Sequence, residues 1–209
     1  SIKDPRGDFG NMGALAFTLP HSGNASVQEI LECHLGFAKG AMRWAEQQKF
    51  VGYQPVDKNI RRKLRIGFVS GDFKENHPVN FFFLPVWDAL DRSKFELFAY
   101  NSAPAYGRNA GTDYYDNTSD GWREVQHTSN TELAEMIKQD QIDILIDLAG
   151  HTAFNRLMTF ALKPAPVQIS WVGYHATTGL PTMDYYATIF PVPKDPVLEA
   201  QFTEKLIYL

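Results

Sequence analysis

Cysteine is nearly missing from this sequence. Cys33 is the only one among 209 residues, which excludes an intrachain disulfide framework and any cysteine-based zinc cage, and fits a reducing compartment. A basic excess is missing too: 20 Lys and Arg stand against 24 Asp and Glu, a formal net charge of -4, so nucleic acid and anionic membrane surfaces are not expected as partners. No apolar run approaches the ~20 residues needed to span a bilayer, and the first residues lack the charged-then-apolar plan of a signal peptide. A soluble, cytoplasmic chain is the expectation. Two motifs are also missing. The fingerprint G-x-G-x-x-G does not follow the first strand candidate, which argues against a dinucleotide-dependent oxidoreductase. No compact ligand motif such as H-E-x-x-H occurs, so no metal site is expected from Asp72, His77, Asp147 and His151.

What is present is an ordinary globular composition, 44% apolar and 21% charged, enough for a sizeable core. Residues 1–25 are rich in turn formers, and little regular structure is expected there beyond a short apolar piece at Ala14–Leu19. Ser26-Val-Gln-Glu29 has capping-box spacing, and Ile30, His34, Phe37, Ala38, Ala41 and Ala45 return to one face, which predicts a helix over 26–48. The cluster Arg61-Arg-Lys-Leu-Arg65 reads as a solvated lead-in to a strand.

From Leu64 the pattern changes to short apolar runs separated by helical stretches, the pattern of parallel strands covered on both faces. Strands are predicted at Leu64–Ser70, Phe95–Tyr100, Trp122–Val125, Ile142–Leu148 and Val167–Val172, with a last apolar run at Leu206–Leu209. Helices are predicted over 79–91, from the capping box Ser129-Asn-Thr-Glu132 onward, and over 153–162; a polar linker is expected from Asn101 to Gly121. Phe81, Phe82, Phe83, Leu84 and Trp87 read as helix and core packing.

Right-handed crossovers then give an open, mostly parallel α/β sheet of Rossmann type, with helices on both faces and a helical N-terminal segment. Residues 1–60 form that segment and residues 61–209 the Rossmann-like lobe. Ligands of such sheets bind outside the carboxyl ends of strands. Three polar loops directly follow predicted strands: Ser70-Gly-Asp-Phe73, Ala149-Gly-His-Thr152 and Gly173-Tyr-His-Ala-Thr-Thr-Gly179.

The ordered set LRIGFVSGDFKENHPV, IDILIDLAGHT, NRLMTFALKPAPVQISWVGYHATTGLPTMDY and TEKLIYL resembles the first catalytic lobe of the peptide O-linked N-acetylglucosamine transferases, the SPINDLY-like branch included. The resemblance covers residues 64–209, with weaker likeness through the helix at 26–48. It implies an inverting glycosyltransferase that moves N-acetylglucosamine from a UDP donor to protein serine or threonine, with no cofactor besides that donor. It also implies as partners a second catalytic lobe and tetratricopeptide repeats. The match stops at TEKLIYL, so the second lobe is expected to be absent here and the isolated chain inactive. A non-catalytic α/β binding or interaction module derived from such a transferase is the alternative. His175 stands where the family pattern has a proline.

Inverting transfer needs a proton removed from the acceptor hydroxyl and charge stabilised on the leaving diphosphate. His77 and His151 are the catalytic candidates; a histidine can accept that proton near neutral pH, and the family keeps a His-Pro pair in the first loop. The alternative for His77 is a cap or bridge of its turn. Pro78 suits the first turn of the following helix. Thr152 is either a ligand contact or an N-cap. Arg156, aligned with a family arginine, either holds phosphate or a peptide carbonyl or makes a salt bridge. Gly173, Thr177, Thr178 and Gly179 make a plausible cradle for sugar or diphosphate. Asp72 and Asp147 orient histidines or cap turns.

Overall fold

The computed structural model describes residues 9–53, 62–188 and 194–209. The expected boundary at residue 60, Arg61 of the basic cluster and the turn formers before residue 9 lie outside them. Seven strands form one sheet: β1 (Leu64–Ser70), β2 (Phe95–Asn101), β3 (Gly121–Glu124), β4 (Ile144–Asp147), β5 (Val167–Trp171), β6 (Tyr185–Ala187) and β7 (Lys205–Ile207). Every pairing is parallel and the order is β3-β2-β1-β4-β5-β6-β7. The order reverses between β1 and β4, whose registered partners run from Ile66 opposite Ile144 to Val69 opposite Asp147.

Helices lie on both faces. α2 (Val27–Glu46), α5 (Asn130–Gln139) and α6 (Leu157–Ala161) send Phe37, Ala38, Leu133, Ile137, Leu157 and Phe160 into one core with Val69, Tyr100 and Leu145. On the other face, α3 (Pro78–Ala89) and α4 (Ala110–Thr118) bring Val79, Phe83, Trp87 and Tyr115 against Ile66, Phe68, Leu97 and Ala99. Each of the Val, Leu, Ile and Phe side chains contributes about 1.5–3 kcal/mol by leaving water. Over the second half of the sheet this face is an apolar groove lined by Ile146, Ile169, Trp171, Ala187 and Ile207.

The caps form as expected. Ser26 with Glu29 opens α2 and Ser129 with Glu132 opens α5, each as a reciprocal capping box. The basic lead-in to β1 is consumed locally: the Arg62 guanidinium donates to both carboxylate oxygens of Asp143 at 2.6 Å, and Arg65 donates to Glu96.

Four departures have physical reasons. α1 (Phe9–Thr18) is longer than the apolar piece expected; the buried Ala16 accepts a hydrogen bond from the Tyr174 hydroxyl, a tertiary anchor. α4 interrupts the expected linker: Asn109 and Thr112 cap it, Thr112 donates to the carbonyl of Phe73, and Tyr115 is buried. β6 was not expected, being three residues held by neighbours on both sides. Phe81 and Phe82 are 66% and 42% exposed, not core, because α3 buries only the face bearing Val79, Phe83 and Trp87.

Candidate functional site

All strands being parallel, the loops after β1, β4 and β5 leave the same edge of the sheet, and the first two flank the reversal of strand order. There a parallel sheet opens a crevice. The loop after β1 starts at the buried Ser70, whose Oγ accepts from the Asp72 N–H at 2.9 Å. Phe73 anchors the loop in the core beside Phe83 and Tyr115. His77 sits at the N-cap of α3, its Nδ1 accepting from the Val79 N–H at 3.4 Å. Its Nε2 lies 3.4 Å from Oδ1 of Asp72; the side chains are 37% and 12% exposed. Burial raises the Asp72 pKa, with His77 and Lys74 pulling it back. Pro78 is at the first turn of α3 as expected.

The loop after β4 is built on Asp147. This fully buried carboxylate accepts from the N–H groups of Ala149 and Gly150 and from the Ser170 hydroxyl. Burial pushes its pKa up to about 6, against the pull of these three bonds, and Glu204 adds repulsion. Gly150 takes φ 54°, and a Cβ there would lie 2.3 Å from that of Tyr174, so the turn needs glycine.

His151 is not open at the rim, which corrects its expected place there. It is 4% exposed, packed edge-on against His34 and Phe37 of α2. One ring nitrogen, Nε2, lies 3.0 Å from the Thr178 carbonyl; a carbonyl only accepts, so Nε2 carries the proton. Burial, then the neighbouring His34, draw its pKa down to about 3, the Thr178 carbonyl opposing. The imidazole is neutral and joins the loop after β4 to the loop after β5.

Thr152 is half-buried and its hydroxyl donates to the Ala149 carbonyl. It does not cap α6, which starts at Leu157. Phe154 follows with φ 59°, its carbonyl taking a bond from Ser102 after β2. Arg156 does not face the crevice, against expectation: its guanidinium donates to the carbonyls of Val125 and Thr128 at 3.0 and 2.6 Å, and burial lowers its pKa to about 10. It ties the segment after β3 to α6. Arg156→Ala is expected to cost about 3 kcal/mol, since two carbonyls lose charged donors, with faster amide exchange over residues 125–129 as the check.

In the loop after β5, Gly173 remains half-buried while Thr177, Thr178 and Gly179 are buried. The two threonine hydroxyls are spent on Glu204, whose place inside TEKLIYL carried no expectation. Glu204 is 5% exposed. It accepts from the hydroxyls of Thr177 and Thr178 and from the Thr178 N–H. Gly179, at φ 77°, passes so close to α2 that a Cβ would lie 2.5 Å from the His34 carbonyl oxygen. His175 is exposed and meets His21 edge-on. The cradle therefore faces inward by its side chains, and His77, Pro78, Thr152, Gly173 and, in part, Arg156 are the expected residues that reach the surface. Among the described residues no group of three or more His, Cys, Asp or Glu is placed to hold a metal, and no helix is long and apolar enough to cross a membrane.

A doubly wound parallel sheet with polar loops at and beside the strand-order reversal defines a Rossmann-like α/β lobe, a class whose ligands bind at that edge. The comparisons narrow the class. The model of glycosyl transferase family 41 matches residues 35–209, and the chain belongs to that family. It is 40% identical over 152 residues to the UDP-N-acetylglucosamine–peptide N-acetylglucosaminyltransferase of Caenorhabditis elegans, which covers 71% of this chain and 13% of that relative. Over 188 residues it is 32% identical to SPINDLY of Petunia hybrida, covering 88% of this chain and 19% of the relative. A solved O-GlcNAc transferase mutant of Thermobaculum terrenum superimposes with a TM-score of 0.84 at 35% identity, over 97% of this chain and 38% of its own. The chain thus spans less than two fifths of the length of these relatives.

Proposed function

We propose that this chain is the first lobe of an inverting UDP-N-acetylglucosamine:protein Ser/Thr O-N-acetylglucosaminyltransferase, one wall of a cleft completed by a second lobe. The observation that carries the reading is the shared edge: the loops bearing His77, Thr152 and Gly173 all leave the carboxyl ends of neighbouring strands in the order β1, β4, β5. The Caenorhabditis elegans relative is named UDP-N-acetylglucosamine–peptide N-acetylglucosaminyltransferase. In this reading the acceptor hydroxyl meets the Asp72–His77 pair, and the main chain around Gly150 and Gly173 faces the sugar nucleotide. His151, neutral and bonded to Thr178, positions the two loops rather than exchanging protons. Donor, protein acceptor, second lobe and tetratricopeptide repeats are the implied partners; no cofactor is required, and the single Cys33 suits the cytoplasm.

The test is a titration of the isotope-labelled chain with UDP-N-acetylglucosamine, followed by amide shifts. Weak binding is expected, with shifts confined to residues 71–77, 150–154 and 173–176, and no transfer to a serine peptide. Shifts at the opposite edge of the sheet, or none at millimolar donor, would sink the reading. Tight binding with efficient transfer would show that one lobe is sufficient.

A further inference from the structure

We infer that Asp72, not His77, takes the proton of the acceptor hydroxyl, and that His77 is its positioning partner. This rests on the transferase reading. The local geometry fixes the tautomer of the imidazole. Nδ1 of His77 accepts the Val79 N–H that caps α3, and a nitrogen that accepts does not carry the ring proton. Neutral His77 therefore holds its proton on Nε2, the atom 3.4 Å from Oδ1 of Asp72. Nε2 carries the proton beside the carboxylate and Nδ1 accepts from Val79, so neither ring nitrogen keeps a lone pair for the acceptor. Protonating His77 removes the remaining possibility rather than restoring it.

Asp72 has what His77 lacks. A carboxylate only accepts hydrogen bonds and offers several lone-pair directions, more than one neighbouring imidazole can take up. Its loop is pinned from both sides, by its own N–H on Ser70 and by Phe73 in the aromatic core, so the carboxylate is fixed at the mouth of the crevice. Burial strengthens it as a base, because basicity nearer neutral pH improves proton transfer.

The acceptor O–H bond breaks and its proton passes to a carboxylate oxygen of Asp72. The acceptor oxygen forms a bond to the anomeric carbon as the bond from that carbon to the diphosphate breaks, and that electron pair leaves with UDP. Asp72 then returns its proton to water. His77 remains in the Nε2–H form throughout, holding the carboxylate in place.

The experiment has two parts, both on the labelled chain. Ring nitrogen shifts of His77 above neutral pH are expected to show a protonated Nε2 and an unprotonated Nδ1. A serine peptide and its alanine counterpart are then titrated in the presence of UDP. The serine peptide is expected to bind about tenfold more tightly, the effect of one hydrogen bond to a charged acceptor, and to move the Asp72 carboxyl carbon. Asp72→Asn should abolish the difference, while His77→Gln, which still donates, should keep most of it. A protonated Nδ1 in the unaltered chain overturns the inference without any variant, as does equal binding of the two peptides. So does the reverse pattern, with discrimination lost in His77→Gln and kept in Asp72→Asn. Failure of the transferase reading is visible separately, as missing donor-induced shifts.

Discussion

His151→Gln is expected to gain about 3 kcal/mol relative to the unaltered chain when the pH is lowered from 7 to 4, and Asp147→Asn to gain about 2 kcal/mol when it is raised over the same range. The two effects have opposite signs because burial moves the two groups in opposite directions. The imidazole of His151 is held near 3 when folded but titrates near its ordinary value of about 6.5 when unfolded. Below that value the unfolded chain binds a proton that the folded chain refuses, so stability is lost progressively as pH falls. Asp147 is raised to about 6 from an unfolded value near 4. Its contribution is fully present below the unfolded value and is lost as pH rises through the folded one. Between pH 4 and 6 the two nearly cancel, so the unaltered chain conceals both. Urea unfolding of each variant and the parent at several pH values separates them. Variant-minus-parent differences that do not change with pH would remove the claim that these groups are buried in these charge states.

Gly173→Ala is expected to destabilise the fold by about 3 kcal/mol or more, at the upper end of overpacking costs. A Cβ at this position would lie 1.9 Å from the Leu148 carbonyl oxygen and 2.9 Å from the Ala149 Cα. Both obstacles are backbone at the end of β4, so no rotamer change relieves them. The loops after β4 and β5 must move apart, which breaks their link through His151 and the Thr178 carbonyl. Gly23→Ala is the control: its φ of 70° strains alanine, but nothing lies within 4 Å of the added atom, so the cost should stay near 1 kcal/mol. Equal midpoints for the two variants in urea would contradict the close packing of the loops. In the donor titration, Gly173→Ala should lose shifts at residues 150–154 and 173–176 while keeping those at 71–77.

The strands that carry the site were legible because each is a short, mostly apolar run between turn signals. β1 spans Leu64–Ser70 as expected, and β2 and β5 each differ from expectation by one residue at the end. α2 and α5 were legible from capping boxes that act within four residues. α4 was not, since it buries little besides Thr112 and Tyr115 and its stretch is otherwise polar. Glu204 was missed for a different reason: its carboxylate matters through Thr177 and Thr178, 27 and 26 residues earlier in the chain, and no local pattern marks such a pair.

Local spacing and the right-handed crossover rule were enough to determine the parallel sheet, and with it the placing of the loops after β1, β4 and β5 on one edge, because chain direction alone decides where a parallel strand ends. Which side chains on that edge meet a ligand was decided only by tertiary structure. α2 lies over the loops after β4 and β5 and buries His151, while Glu204 takes up the two threonine hydroxyls. The loop after β1, turned toward α3, keeps His77 at the surface with Asp72 only partly exposed beside it. Exposure depends on what packs above a residue, and here the covering residues come from distant parts of the chain.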